Sequence, residues 1–184
     1  MGASTQIPAR AANPLLEPSQ LPYGVVPFDR LQPSDYENAV REGIKQHIQE
    51  IDAITSNPES PTFENTIVAL DRSGSTLTIA QLALSNVEHA TGDTVLMRIT
   101  SELTPELTRH STDIMLNEKL WQRVKEVYNN RASRTDLTPE DQRLIELTYK
   151  SFEESGANLS AEAREKYRKL TAELSNLNIR FAQN

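Results

Sequence analysis

Cysteine is absent from the 184 residues, which removes disulfide frameworks, thiolate metal ligands and cysteine nucleophiles together. Histidine is scarce. His47, His89 and His110 are the three present, and none stands in the H-E-x-x-H spacing that sets two imidazoles on one helix face for zinc. Positive charge is in deficit, with 19 basic against 26 acidic side chains and a net charge of −7. That balance leaves no electrostatic basis for sequence-independent binding to nucleic-acid phosphates or anionic membranes. No apolar run approaches the roughly 18 residues of a membrane span, and the N-terminus lacks the basic and apolar regions of a signal peptide. Strand signals are missing too: no run alternates with period two, and β-branched residues do not cluster between turns.

What remains is helical periodicity, and 184 residues suffice for a packed core without covalent staples. Residues 1–32 contain Pro8, Pro14, Pro18, Pro22 and Pro27, too close together for a regular helix because each lacks a donor and restricts its predecessor. This stretch reads as an extended arm, disordered over residues 1–12, whose Leu15, Leu16, Tyr23, Val25, Val26 and Phe28 lie against the helices. From Pro33, a favourable first-turn residue, Tyr36, Val40, Ile44, Ile48, Ile51 and Ile54 recur at three or four residues and predict a helix ending near Thr55. Thr62 then caps a second helix carrying Phe63, Ile67, Leu70, Leu77, Leu84 and Val87. Gly74 falls inside that stripe and is expected to admit a neighbouring helix rather than to mark a break.

Val95, Ile99, Leu103, Leu107 and Ile114 predict a third helix, bent at Ser101 to Pro105 where the proline removes a hydrogen bond. Asn117 caps a fourth with Leu120, Val124, Val127 and Tyr128. Thr138-Pro139-Glu140-Asp141 opens a fifth with Leu144, Leu147, Tyr149 and Phe152, and Gly156 suits the left-handed position that follows. The sixth begins at Ser160 and runs to Asn184, where Ala163, Tyr167, Leu170, Leu174, Leu177 and Phe181 alternate steps of four and three, the period of a seam packed on another helix. The fold class is therefore all-α: about six helices, mostly antiparallel, behind a proline-rich N-terminal arm, with residues 33–184 as the helical domain.

No catalytic motif accompanies these helices. Glu153-Glu154 places two carboxylates side by side, but adjacent helix residues point about 100° apart and describe a solvated helix end. Ser73-Gly74-Ser75 fits neither a phosphate loop nor a nucleophile elbow. Each histidine reads as exposed or as a local hydrogen-bond partner. Phe63, Tyr149, Phe152, Tyr167 and Phe181 lie on helix stripes, where packing accounts for them. The residues alone thus supply no catalytic, cofactor-binding or metal site.

Five segments in order carry a resemblance: Tyr23-Gly-Val-Val-Pro-Phe-Asp29, Pro61-Thr-Phe-Glu-Asn-Thr-Ile-Val-Ala-Leu-Asp-Arg-Ser-Gly74, Leu116-Asn-Glu-Lys-Leu-Trp-Gln-Arg-Val-Lys125, Phe152-Glu-Glu-Ser-Gly-Ala-Asn-Leu159 and Leu170 to Asn184. Together they resemble the N-terminal region of the thimet oligopeptidase and peptidyl-dipeptidase family of zinc metallopeptidases, most of all its bacterial peptidyl-dipeptidase branch. The resemblance implies a mostly helical body around a deep channel. It also implies a zinc ion held by the two histidines of H-E-x-x-H and a downstream glutamate, with the motif's own glutamate activating the bound water. None of those residues stands in this sequence.

The resemblance therefore implies a non-catalytic part, truncated before the catalytic domain, that forms part of a channel wall admitting short peptides. Its implied partner is the catalytic remainder of the same polypeptide, with zinc as that remainder's cofactor. Alone, the chain is expected to cleave nothing and to bury the seam of its last helix in a homodimer or leave it as an apolar patch. The compartment stays open between cytoplasm and periplasm, since Met1-Gly2 before Ala3-Ser4-Thr5 reads equally as a native start or as one placed where a leader was removed. A stand-alone helical interaction module without enzymatic activity is the alternative.

Overall fold

The structure is a computed structural model that describes residues 13–182; the disorder expected over residues 1–12 lies outside that range. Among the described residues there is no strand, and no helix is long and apolar enough to cross a membrane. The long helices are α1 (Pro33–Thr55), α3 (Ser75–Thr91), α4 (Thr94–Met115), α5 (Glu118–Asn130), α6 (Pro139–Glu154) and α7 (Ala161–Ala182). A π-helical turn at Phe63–Val68 followed by the four-residue α2 (Ala69–Arg72) separates α1 from α3.

Helix starts follow the capping chemistry. The backbone N–H of Gln32 donates to Asp35 Oδ2 at 2.8 Å ahead of Pro33. Thr62 and Asn65 form a reciprocal box, as do Thr138 and Asp141, each pair satisfying two donors that a helix N-terminus otherwise leaves open. The side chains of Asp93 and Asn117 accept from the first-turn N–H groups of α4 and α5. Gly156 follows α6 with φ +90°.

One predicted element differs. The helix expected from Thr62 through Val87 is divided, because α2 stops at Arg72 and Gly74 takes φ +70° as the N-cap of α3. Glycine adopts that backbone without the strain a Cβ brings, so Gly74 does mark a break, and it also admits a neighbour. A Cβ built there lies 2.7 Å from His47 Nδ1. α4 runs as one helix from Thr94 to Met115 with Pro105 inside it, and the Ser101 and Thr104 hydroxyls donate to the carbonyls of Met97 and Thr100.

Burial divides the core into two clusters. The first joins Leu15 of the arm to Tyr36, Ala39 and Val40 of α1, Leu77 to Leu84 of α3, and Leu96, Ile99 and Leu103 of α4. The second joins Ile51 and Ile54 of α1 to Phe63, Ile67, Leu120, Trp121, Val124, Ile145 and Phe152. Both α1 and α4 pass from the first cluster to the second, so they run in the same direction, and α3 returns antiparallel along α1. The arm is tied down where Asn13 Nδ2 donates to the Asp35 carbonyl at 2.8 Å and Leu15 enters the first cluster, whereas Tyr23 and Phe28 face solvent. Trp121 stacks on Phe152 at 6.2 Å and contacts Tyr149 at 5.0 Å, which itself stacks on Tyr128 at 3.8 Å. This aromatic column joins α5 to α6.

The last helix corrects the seam. Leu170, Leu174 and Leu177 are exposed and Phe181 is 83% exposed, so packing does not account for Phe181. Instead α7 meets α4 through polar groups: Ser175 Oγ lies 3.2 Å from Thr108 Oγ1, and Arg168 Nε donates to Asp113 Oδ1 at 3.1 Å. Arg164 pairs with Glu118 at the start of α5. Along α4 the residues facing α7 include Thr108, Thr112 and Asp113 with Leu107 and Met115, and it is the Tyr167, Thr171 and Ser175 side of α7 that turns toward them.

Candidate functional site

Between the two cores lies one polar layer. His47 stands on α1 between Ile44 of the first cluster and Ile51 of the second, and His110 stands on α4 between Leu107 and Ile114. Helical spacing turns both inward. Their rings meet edge to face with centroids 4.9 Å apart, and His110 Nε2 lies 3.0 Å from His47 Nδ1. On its other side, His47 Nε2 lies 3.0 Å from Ser73 Oγ, itself 2.7 Å from the Leu70 carbonyl.

These distances fix the protons. The Leu70 carbonyl can only accept, so the Ser73 hydroxyl donates to it and accepts from His47 Nε2–H. His47 Nδ1 is then bare and accepts from His110 Nε2–H. Burial pushes both imidazoles below their ordinary value; for His110 the neighbouring His47 pushes in the same direction. Glu50 opposes the shift at His47 and Asp113 opposes it at His110, but each carboxylate is engaged elsewhere. Glu50 Oε2 accepts from Gly74 N–H at 2.6 Å, and Asp113 holds Arg168.

A cleft of about 640 Å³ opens between α1 and α4 beside this layer, floored by Ile44, Ile48 and Ile51, with Glu106, Arg109 and Asp113 among its rim. Glu106 is paired with Arg41 at 3.0 Å. A second hollow of about 350 Å³, lined by His47, Ser73, Gly74 and His110, lies on the α3 side of the pair.

Chemically the cluster is closed. Ser73 has no base to take its proton, so it is not an activated nucleophile. The pair does not fit a metal ion either. The His47 Nδ1 lone pair is occupied by its neighbour's N–H, Glu50 is held by Gly74, and among the described residues no three His, Asp or Glu side chains come together to hold a cation. What the arrangement does is join α1, α4 and the α2–α3 corner through successive hydrogen bonds. His89 is exposed and bonds locally to Ser85; Glu153 and Glu154 are exposed at the end of α6.

Reading each histidine singly missed this pairing. The signal was the seven-residue step from Leu107 to Ile114, which leaves His110 on the inward face. For α1 the periodicity favoured Ile48, which is 45% exposed, while His47 beside it points in. Arg123 was also missed: buried, it donates to the carbonyls of Asn57 and Glu59 at 3.0 and 3.2 Å and to Asn65 Oδ1 at 3.0 Å.

No protein-family model matches the chain. Among curated proteins it is 35% identical over 173 residues to the dipeptidyl carboxypeptidase of Salmonella typhimurium (strain LT2), covering 94% of this chain and 25% of that protein. It is 36% identical over 171 residues to the dipeptidyl carboxypeptidase of Escherichia coli (strain K12), covering 93% and 25%. The oligopeptidase A of Haemophilus influenzae is 28% identical over 173 residues, covering 94% and 24%. The chain thus spans about a quarter of the length of these relatives.

Proposed function

The chain belongs to the thimet oligopeptidase and peptidyl-dipeptidase family, to whose N-terminal region it corresponds, and from that premise we propose that it is the non-catalytic helical part of a peptidase acting on short peptides. In this reading its helices form part of the wall of the substrate channel, and peptide bonds are broken by groups elsewhere in the polypeptide. The observation that carries the proposal is the coverage: alignment over 94% of this chain accounts for only a quarter of each peptidase.

The closed chemistry of the polar layer supports the same division. His47, His110 and Ser73 satisfy one another and present no group poised to attack an amide. A bound zinc in such a peptidase supplies Lewis-acid activation of water; on this reading its ligands lie outside these residues, because the histidines present do not fit it. What these residues supply is shape, through the six long helices among the described residues, whose packing fixes where the channel-facing surfaces stand.

The test compares two proteins on one N-terminally blocked peptide: the purified 184-residue chain, and the polypeptide obtained by following the reading frame past Asn184. The expected result is no dipeptide release by the chain, with or without added zinc, and chelator-sensitive release by the longer polypeptide. Cleavage by the chain alone overturns the proposal. A reading frame that stops at Asn184 does so as well, and leaves the stand-alone interaction module.

A further inference from the structure

The polar layer does more than fill space between two apolar cores. We infer that the His47–His110–Ser73 relay is an acid-sensitive latch, which holds α1 to α4 and to the α2–α3 corner while the histidine pair carries at most one added proton, and releases them when it carries two.

The proton count follows from the bonds. In the neutral pair His110 Nε2–H donates to His47 Nδ1, and His47 Nε2–H donates to Ser73. His110 Nδ1 is the nitrogen left over, on a ring that lines the α1–α4 cleft. A first proton added there changes no hydrogen bond, since His110 still donates from Nε2. The second can only go to His47 Nδ1. That sets two N–H groups against each other across 3.0 Å, where one must be an acceptor.

The surroundings weigh the two steps differently. Around His110, α4 supplies Asp113, Glu106 and Arg109, while α1 supplies Asp52 on the cleft rim. Arg41 and Arg168 neutralise Glu106 and Asp113, so the first charge is helped only in part. Around His47, α1 supplies Glu50, and the α2–α3 corner supplies only Ser73 and Gly74. Glu50 keeps its charge while it accepts from the Gly74 N–H, but burial outweighs its attraction, so the second charge arrives in a half-buried site that disfavours it. The released contact is the layer where the apolar clusters do not meet, the place on α1 and α4 least able to hold without it.

A histidine held below its ordinary value in the folded state binds fewer protons folded than unfolded. Its contribution to stability is therefore complete above about pH 6.5 and is lost as pH falls below it. For the latch, the unfolding constant rises toward tenfold per pH unit for each histidine kept neutral.

The experiment takes urea unfolding midpoints of the full chain at pH 7.5 and 5.5 for the wild type and for His47→Gln, whose amide keeps hydrogen-bonding capacity without titrating. Carboxylate contributions are common to both. The expected result is a larger acid loss in the wild type, by close to one decade in unfolding constant between pH 7.5 and 5.5, nearly all of it below about pH 6.5. Equal slopes overturn the latch. Should His47→Gln fail to fold, the imidazole NMR titration of the wild type decides: His110 is expected to take the first proton while His47 stays neutral until the helices unfold. Protonation of His47 together with His110 in the folded protein refutes the inference.

Discussion

Gly43→Ala sets two effects of opposite sign against each other. Gly43 lies in the middle of α1, where alanine is favoured by about 1 kcal/mol on helix propensity alone. A sequence reading therefore expects stabilisation. The structure expects the reverse, because a Cβ at this position lies 2.7 Å from Leu77 Cα, 2.9 Å from Leu77 N and 3.0 Å from Leu77 Cβ. These atoms belong to the backbone of α3 or are fixed to it, so no rotamer change relieves the overlap. The helices must move apart by several tenths of an ångström.

That movement is not local. Ala39, Ala80 and Ala83 share this crossing and are each at most 2% exposed, and opening a radial gap of 0.5–1 Å forfeits about a quarter to a half of each dispersion contact. Overpacking costs about 1–3 kcal/mol, and contacts of 2.7 and 2.9 Å with backbone atoms put this site in the upper part, about 2–3 kcal/mol, which exceeds the propensity gain of about 1 kcal/mol. The net expectation is a loss of about 1–2 kcal/mol, read in thermal unfolding as a decrease of roughly 2–4 °C per kcal/mol for a domain of this size. A Leu77→Ala background sharpens the assay: alanine retains all three contacting atoms, so trimming the leucine must not rescue Gly43→Ala. An unchanged or raised melting temperature, or rescue by Leu77→Ala, refutes the reasoning.

Arg123→Ala is expected to destabilise by about 2–4 kcal/mol in urea unfolding, because the Asn57 and Glu59 carbonyls lose the same guanidinium together and the capping Asn65 Oδ1 keeps only Thr62 N–H and Thr66 Oγ1 as donors. Arg123→Lys should recover less than half of that loss, since a single ammonium cannot reproduce the planar fork; full recovery would show that charge alone matters. Leu103 and Leu174 both lie on apolar stripes, yet Leu103 is 0% and Leu174 58% exposed. Leu103→Ala should cost about 2–5 kcal/mol, whereas Leu174→Gln should change stability by less than about 0.5 kcal/mol, and comparable losses would place α7 differently.

The sequence by itself determined the elements. Period, caps and prolines are local properties, so α1 could be bounded from Pro33 to Thr55 and α6 opened at Pro139 after Thr138, as the structure has them. The ordered segments that pointed to the family are also properties of the chain read along its length. Only the tertiary structure decided which face of each stripe turns inward. A helix carries several candidate faces, and the choice belongs to the partner: α4 presents threonines and charges, so α7 docks through Ser175 and Arg168 and leaves Leu174 outside. The same holds for the polar layer. His47 and His110 are 63 residues apart, and nothing local to either foretells that α1 and α4 will cross where each lacks an apolar side chain. Gly74 belongs to both accounts, since its residue type permits the turn, while the imidazole that fills the space beside it arrives from a different helix.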